Sequence, residues 1–211
     1  MPQPLIKNMT VEIFDPELVR RQVSALATKP EVKPILDKAT ELGFSPLTGA
    51  KNLQGFRRTY TSATPVVNGS QKISKLEVSY QIQELKKSGS KDKAVVIITT
   101  FEGVGLKDAN EIDSRLLIAT DGDLKKTQEF KLGSTGKAVL TKSWWTRFKA
   151  CIKGSCSSVC LSALVSCPFS SWAAYLGCLA IKCGGCSAKC VGCASCRCRW
   201  WCKWAVSCCR D

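Results

Sequence analysis

The chain is predicted to form an α+β domain, two helices on an antiparallel sheet, followed by a small disulfide-rich all-α unit. Three observations carry that prediction. Residues 1–150 hold no cysteine, whereas all fourteen cysteines of the 211-residue chain fall between Cys151 and Cys209. The first part opens with apolar residues at helical spacing and then turns to alternating, β-branched runs. The last part contains 28 uncharged positions, Gly154 to Ile181, with cysteines at helical intervals. The division falls at 1–142 and 143–211, with 133–142 (GSTGKAVLTK) read as a linker.

The elements of the first part follow in order. Asp15-Pro16-Glu17 starts a helix, with a capping Asp, Pro in the first turn and an acid beside it. Leu18, Val19, Val23 and Leu26 then give it one apolar face. A second helix is expected over 30–42, with Val32, Ile35, Leu36 and Leu42 inward and Gly43 as its stop. Strands are expected at 56–64, 73–84, 94–101, 112–120 and 127–132, making a sheet of four or five. In 73–84 the apolar Leu76, Val78, Tyr80 and Ile82 alternate with Glu77, Ser79, Gln81 and Gln83, the pattern of a half-buried strand. Ala94 to Phe101 (AVVIITTF) is uncharged and mainly apolar and reads as a continuous central strand. Asn68-Gly69 and Asp121-Gly122 are turn signals, although 64 and 73 lie far apart for a tight hairpin. Gly133-Ser-Thr-Gly136-Lys137 lacks the spacing of a phosphate loop, and Asp121 and Asp123 lack the repeating acids of a calcium loop. Asn8-Met9-Thr10 and Asn68-Gly69-Ser70 match glycosylation acceptors. Met1 to Pro16 has no apolar core of a signal peptide and holds Glu12 and Asp15.

Pro168 divides the uncharged stretch, and seven of its residues are serine. It therefore reads as a hairpin of two short helices, 155–167 and 171–183, rather than one membrane span. Cys156, Cys160 and Cys167 share one helical face; Cys183, Cys186, Cys190 and Cys193 step by three, four and three along another. Such stripes on facing helices would be cross-linked like rungs. A unit of this size with few large aliphatics needs staples. Up to seven disulfides are available, and the sequence does not give their pairing. The basic aromatic run Ser143 to Lys149 belongs to either part.

Charge and composition limit the functions. The net charge is +14, with 7 Lys and Arg against the single acid Asp211 in residues 151–211. Such a balance favours anionic partners. The chain has no histidine, which removes histidine-based nucleophilic, acid–base and metal chemistry. No enzyme and no cofactor is expected. Cys183-x2-Cys186, Cys190-x2-Cys193 and Cys193-x2-Cys196 do have metal-ligand spacing, so a zinc or other metal cluster stays open as an alternative. A ferredoxin pattern fails, because position 200 is Trp200.

The last segment runs CRCRWWCKWAVSCCRD. Arg197, Arg199, Lys203 and Arg210 alternate with Trp200, Trp201 and Trp204, a mixture suited to a membrane interface. The other readings are a small aromatic core and, less favoured, single-stranded nucleic acid. Cys178, Cys198, Cys202, Cys208 and Cys209 complete the expected disulfide set with those named above and Cys151.

In its architecture the chain resembles the bifunctional immunity/bacteriocin fusion proteins, the halocin-like precursors. The resemblance rests on a cysteine-free first part followed by CIKGSCSSVC, CPFSSWAAYLGC and CGGCSAKCVGC. It implies that the C-terminal peptide is released and perturbs bacterial membranes, while the N-terminal part protects the producer. It also implies a processing protease and an exporter, a precursor in the cytoplasm or at the membrane, and a secreted peptide. Both halves are net positive, so their contact is expected to be mainly hydrophobic. A third reading is a surface or filament protein cross-linked through its cysteine-rich tail.

Overall fold

A computed structural model describes residues 6–68, 71–104, 110–141, 143–196 and 200–206. The architecture is the expected one, an antiparallel α+β part followed by disulfide-rich helices. The sheet is larger than expected. It has eight strands: β1 (Ile6–Ile13), β2 (Ser45–Pro46), β3 (Leu53–Asn68), β4 (Gln71–Lys86), β5 (Lys93–Val104), β6 (Glu111–Ala119), β7 (Thr127–Leu132) and β8 (Ala138–Thr141). The order is β1-β3-β4-β5-β6-β7-β8, with β2 pairing the end of β4.

Two helices precede β2. In α1 (Pro16–Leu26) the Asp15 carboxylate accepts the Leu18 N–H at 2.9 Å, as the cap signal requires. The second helix, α2 (Lys33–Glu41), starts three residues later than expected, with Pro34 in its first turn, where a missing N–H costs nothing. Gly43 at φ 84° ends it. Among the described residues five helices follow the sheet: α3 (Ser143–Ser155), α4 (Ser158–Ser166), α5 (Trp172–Cys183), α6 (Gly185–Ser195) and α7 (Trp200–Val206).

The molecule has three layers. α1 and α2 cover one face of the sheet, over Leu85, Val96, Ile98, Leu116 and Ile118. The C-terminal helices cover the other, over Tyr60, Val78, Tyr80, Ile82, Val95, Ile97 and Leu117. This accounts for the consecutive apolar residues Ala94 to Ile98 in β5, since a strand covered on both faces has no solvent-facing side.

Several expectations are corrected. Residues 133–141 of the expected linker belong to the sheet: Gly133 to Lys137 turns the chain, and β8 pairs β7 through Leu132↔Ala138 to Glu129↔Thr141. The expected strands 56–64 and 73–84 extend toward each other, so that Asn68 pairs Gln71 in a close hairpin. Strand β4 is not half-buried. α1 lies over its polar side, and Gln81 and Ser79 are buried there, with Gln81 donating to Gln22 at 3.1 Å. The β6–β7 connection spans 120–126 in two 3-10 turns rather than a tight hairpin, and Asp121 takes φ 54°. The expected helix 155–167 begins at Ser158, after α3 has ended at Ser155. Gly184 (φ 53°) separates α5 from α6, so Cys183 is not on one continuous helix with Cys186, Cys190 and Cys193.

Candidate functional site

The interface between the sheet and the C-terminal helices concentrates the unusual chemistry of the chain. α3 supplies Trp144, Trp145, Phe148 and Ile152, and α5 supplies Trp172, Tyr175, Leu176 and Leu179, all buried against the sheet. Trp145 meets Trp172 edge-on at 5.3 Å between ring centroids and stacks on Phe148 at 5.4 Å. The run Ser143 to Lys149 thus becomes the first helix of the stapled unit and its main anchor.

Disulfides lie across these helices in a nested series. Cys151 joins Cys190, Cys156 joins Cys186, Cys160 joins Cys183 and Cys167 joins Cys178. Their sequence separations fall from 39 through 30 and 23 to 11, as rungs do toward the apex of a hairpin. The apex lies around Pro168. The Cα–Cα distances of the four rungs, 4.8–5.9 Å, are those of ordinary bridges. Cys196 joins Cys202 and ties α7 to the end of α6. Cys193 is also disulfide-bonded. Cys198, Cys208 and Cys209 lie outside the described residues.

The contact is largely apolar, as expected from like charge, and buried polar groups add to it. Two buried sheet carboxylates receive two helix N-termini. Glu129 of β7 accepts the Trp144 N–H at 3.0 and 2.9 Å on its two oxygens, and the Trp145 N–H at 3.2 Å. Glu84 of β4 accepts the Ala173 N–H at 2.8 Å. A carboxylate at this position satisfies donors that a helix cannot satisfy itself and meets the positive end of its dipole. Arg115 holds Glu129 in place: its guanidinium forks to Asp113 at 2.7 and 2.9 Å and donates to Glu129 at 3.2 Å, with all three groups buried. Further bonds fix the register. The Trp144 indole donates to Ser195 at 2.8 Å, Ser195 pairs with Thr99 at 2.9 Å, and the Trp172 indole donates to the Lys93 carbonyl at 2.8 Å. The buried Arg58 donates to the Gly185 carbonyl at the α5–α6 junction.

The tyrosines report this interface. Burial pushes the Tyr60 hydroxyl up to about 12, partly offset by Arg58, and pushes Tyr80 well above the usual range. Burial raises Tyr175 as well. These are the three tyrosines of the chain. An ultraviolet titration of the oxidised protein should show no tyrosine ionising at its ordinary value of about 10. The folded proton affinity is the higher one, so this stability is complete below about pH 10 and is lost as pH rises through about 12. A tyrosinate signal at pH 10 in protein that is still folded would contradict the arrangement.

The residues expected to meet a membrane divide. Trp200 and Trp204 are half-buried and pack against the core shared with the sheet. The side chains of Trp201 and Lys203, and the residues Arg197, Arg199 and Arg210, lie outside what the structure describes. The uncharged stretch forms the hairpin of α4 and α5. α5 lies on the sheet, while α4 is outermost and exposes Val159, Leu161 and Val165. Among the described residues no helix is long and apolar enough to cross a membrane.

Sequence reasoning missed Glu84, Glu129, Arg115 and Arg58. The signal lay in the alternation: Glu84 continues the series Leu76, Val78, Tyr80, Ile82 on the face that carries the apolar residues. An acid in step with a core series marks a buried partner. Comparison with known proteins finds no match to a family model, a curated protein or a solved structure.

Proposed function

We propose that the chain is the precursor of a cationic, disulfide-stapled helical peptide that perturbs anionic bacterial membranes, and that the sheet masks this peptide and gives the producer immunity. One observation supports this reading above the others. The C-terminal unit is covalently closed on itself and only docked on the rest. Each named disulfide joins two residues within 151–202, and residues 1–150 offer no cysteine to bridge to. A cut before α3 would leave a cross-linked bundle held by packing and hydrogen bonds alone.

Such a bundle has the chemistry of an interfacial peptide. Undocking would bare Trp144, Trp145, Phe148, Trp172 and Tyr175 as one aromatic face. Between 143 and 196 the bundle carries the cations Arg147, Lys149, Lys153, Lys182 and Lys189 and no acid, and Arg197, Arg199, Lys203 and Arg210 follow in the sequence. Aromatic burial at the headgroup boundary together with cationic attraction drives binding to anionic bilayers. The sheet covers the same aromatic face with a complementary apolar surface and two carboxylates, which is what an immunity partner has to do.

Growth of a sensitive bacterium tests the proposal. The recognition site of a sequence-specific protease would be placed in the exposed turn Gly133 to Lys137, the oxidised chain cut there, and the two pieces separated in denaturant and returned to buffer. The C-terminal piece should stop growth, and an equimolar N-terminal piece should restore it. Unimpaired growth with the C-terminal piece alone would overturn the proposal.

A further inference from the structure

We infer that, in the reduced chain, Cys151, Cys156, Cys186 and Cys190 form a tetrathiolate site for one zinc-like divalent ion. The sulfurs of Cys156, Cys186 and Cys190 lie within 4.8 Å of one another, and those of Cys156 and Cys190, which are not bonded to each other, lie 3.9 Å apart. Cys151 lies outside that group of three, but its bond to Cys190 places its sulfur next to it as the fourth donor. Tetrahedral zinc with Zn–S bonds of about 2.3 Å places its sulfurs about 3.8 Å apart. After reduction the two bonded pairs would have to open by about 1.8 Å each, within reach of side-chain rotation, for the sulfurs to surround one ion. Among the described residues no other three such groups converge.

The scaffold does not depend on the disulfides alone. α3 brings Cys151 and, just past its end, Cys156; α6 brings Cys186 and Cys190. Trp144, Phe148 and Ile152 anchor α3 on the sheet, and Val191, Ala194 and Ser195 anchor α6. The two helices would stay face to face after reduction. The charge is suitable too. Four thiolates around a divalent ion carry a net charge of −2, and Lys149, Lys153 and Lys189 lie on the same two helices with no acid on either. Nearby cations favour thiolate over thiol.

The chemistry balances with a dithiol as reductant. Two disulfides each take two electrons and two protons from a dithiol, which closes to its own disulfide, and four thiols result. Binding the divalent ion then releases their four protons. This state and the oxidised ladder exclude each other, so the site reports on the reduced chain and does not rest on the membrane reading.

The test uses the full chain, reduced with a dithiol, freed of it without oxygen and given one equivalent of zinc. Alkylation followed by peptide mapping should find Cys151, Cys156, Cys186 and Cys190 labelled about tenfold more slowly or less than in the metal-free reduced chain, with Cys167 and Cys178 unchanged. With cobalt in place of zinc, Cys156→Ser/Cys190→Ser should lose the intense tetrahedral thiolate absorption at one equivalent, while Cys167→Ser/Cys178→Ser keeps it. Equal labelling with and without zinc, or protection confined to other cysteines such as Cys196 and Cys202, would overturn the inference. Dye release by the oxidised peptide is measured separately and does not depend on this outcome.

Discussion

Replacing Glu129 with alanine should lower the unfolding free energy of the oxidised chain by about 3–5 kcal/mol. Three groups lose a partner at once: the N–H groups of Trp144 and Trp145, and one arm of the Arg115 guanidinium. Glu129 is 1% exposed, so water does not replace the lost acceptor. An unsatisfied buried donor costs about 1–3 kcal/mol. Glu129→Gln keeps one acceptor oxygen and should lose roughly half as much. Guanidinium melts followed by tryptophan fluorescence would measure both. A loss below about 1 kcal/mol for the alanine variant would mean that the carboxylate does not hold the N-terminus of α3.

Trp144→Ala should cost a similar amount, about 3–5 kcal/mol, through loss of a large buried ring. Trp144 is fully buried, stacks on Phe148 at 5.5 Å and donates to Ser195. The consequence reaches beyond stability. The nested disulfides keep the helices together, so the loss falls mainly on the docking of the unit on the sheet. Every 1.4 kcal/mol is about a factor of ten, so the undocked population should rise by about a hundredfold or more. Amides of α3 should exchange correspondingly faster. Val165→Ala is the control: that side chain is 89% exposed on α4 and should change stability by less than about 0.5 kcal/mol. Equal effects of the two variants would contradict the docking described here.

Much of the fold was legible because its signals are local. The Asp15 cap, the Gly43 stop and the run from Ala94 to Phe101 each carry their physics within a few residues. That cysteines would cross-link facing helices was legible, but the single helical face was not real: Cys156 lies between α3 and α4, Cys160 lies on α4 and Cys167 follows its end. The nested pairing was not legible, since it depends on where the hairpin turns and on the break at Gly184. β1 alternates Met9, Val11 and Ile13 with Asn8, Thr10 and Glu12, but it is an edge strand, and Ile13 remains 81% exposed. Its pattern therefore marks no buried face. β8 has only four residues, too few for a period of two to stand out from a Gly- and Ser-containing loop. The candidate site was the least legible. Glu84 and Glu129 gain their role from helix ends 89 and 15 residues away, respectively. No local pattern in β4 or β7 states that a helix N-terminus will arrive there.

The masking of a membrane-active bundle by the sheet can be tested most directly with dye-filled vesicles of anionic lipid. The intact oxidised chain, the isolated C-terminal piece and the two pieces recombined would be compared at equal concentration. Masking predicts strong dye release by the isolated piece, and little by the intact chain or the recombined pair. Release by the intact chain equal to that of the isolated piece, or none from either, would contradict it.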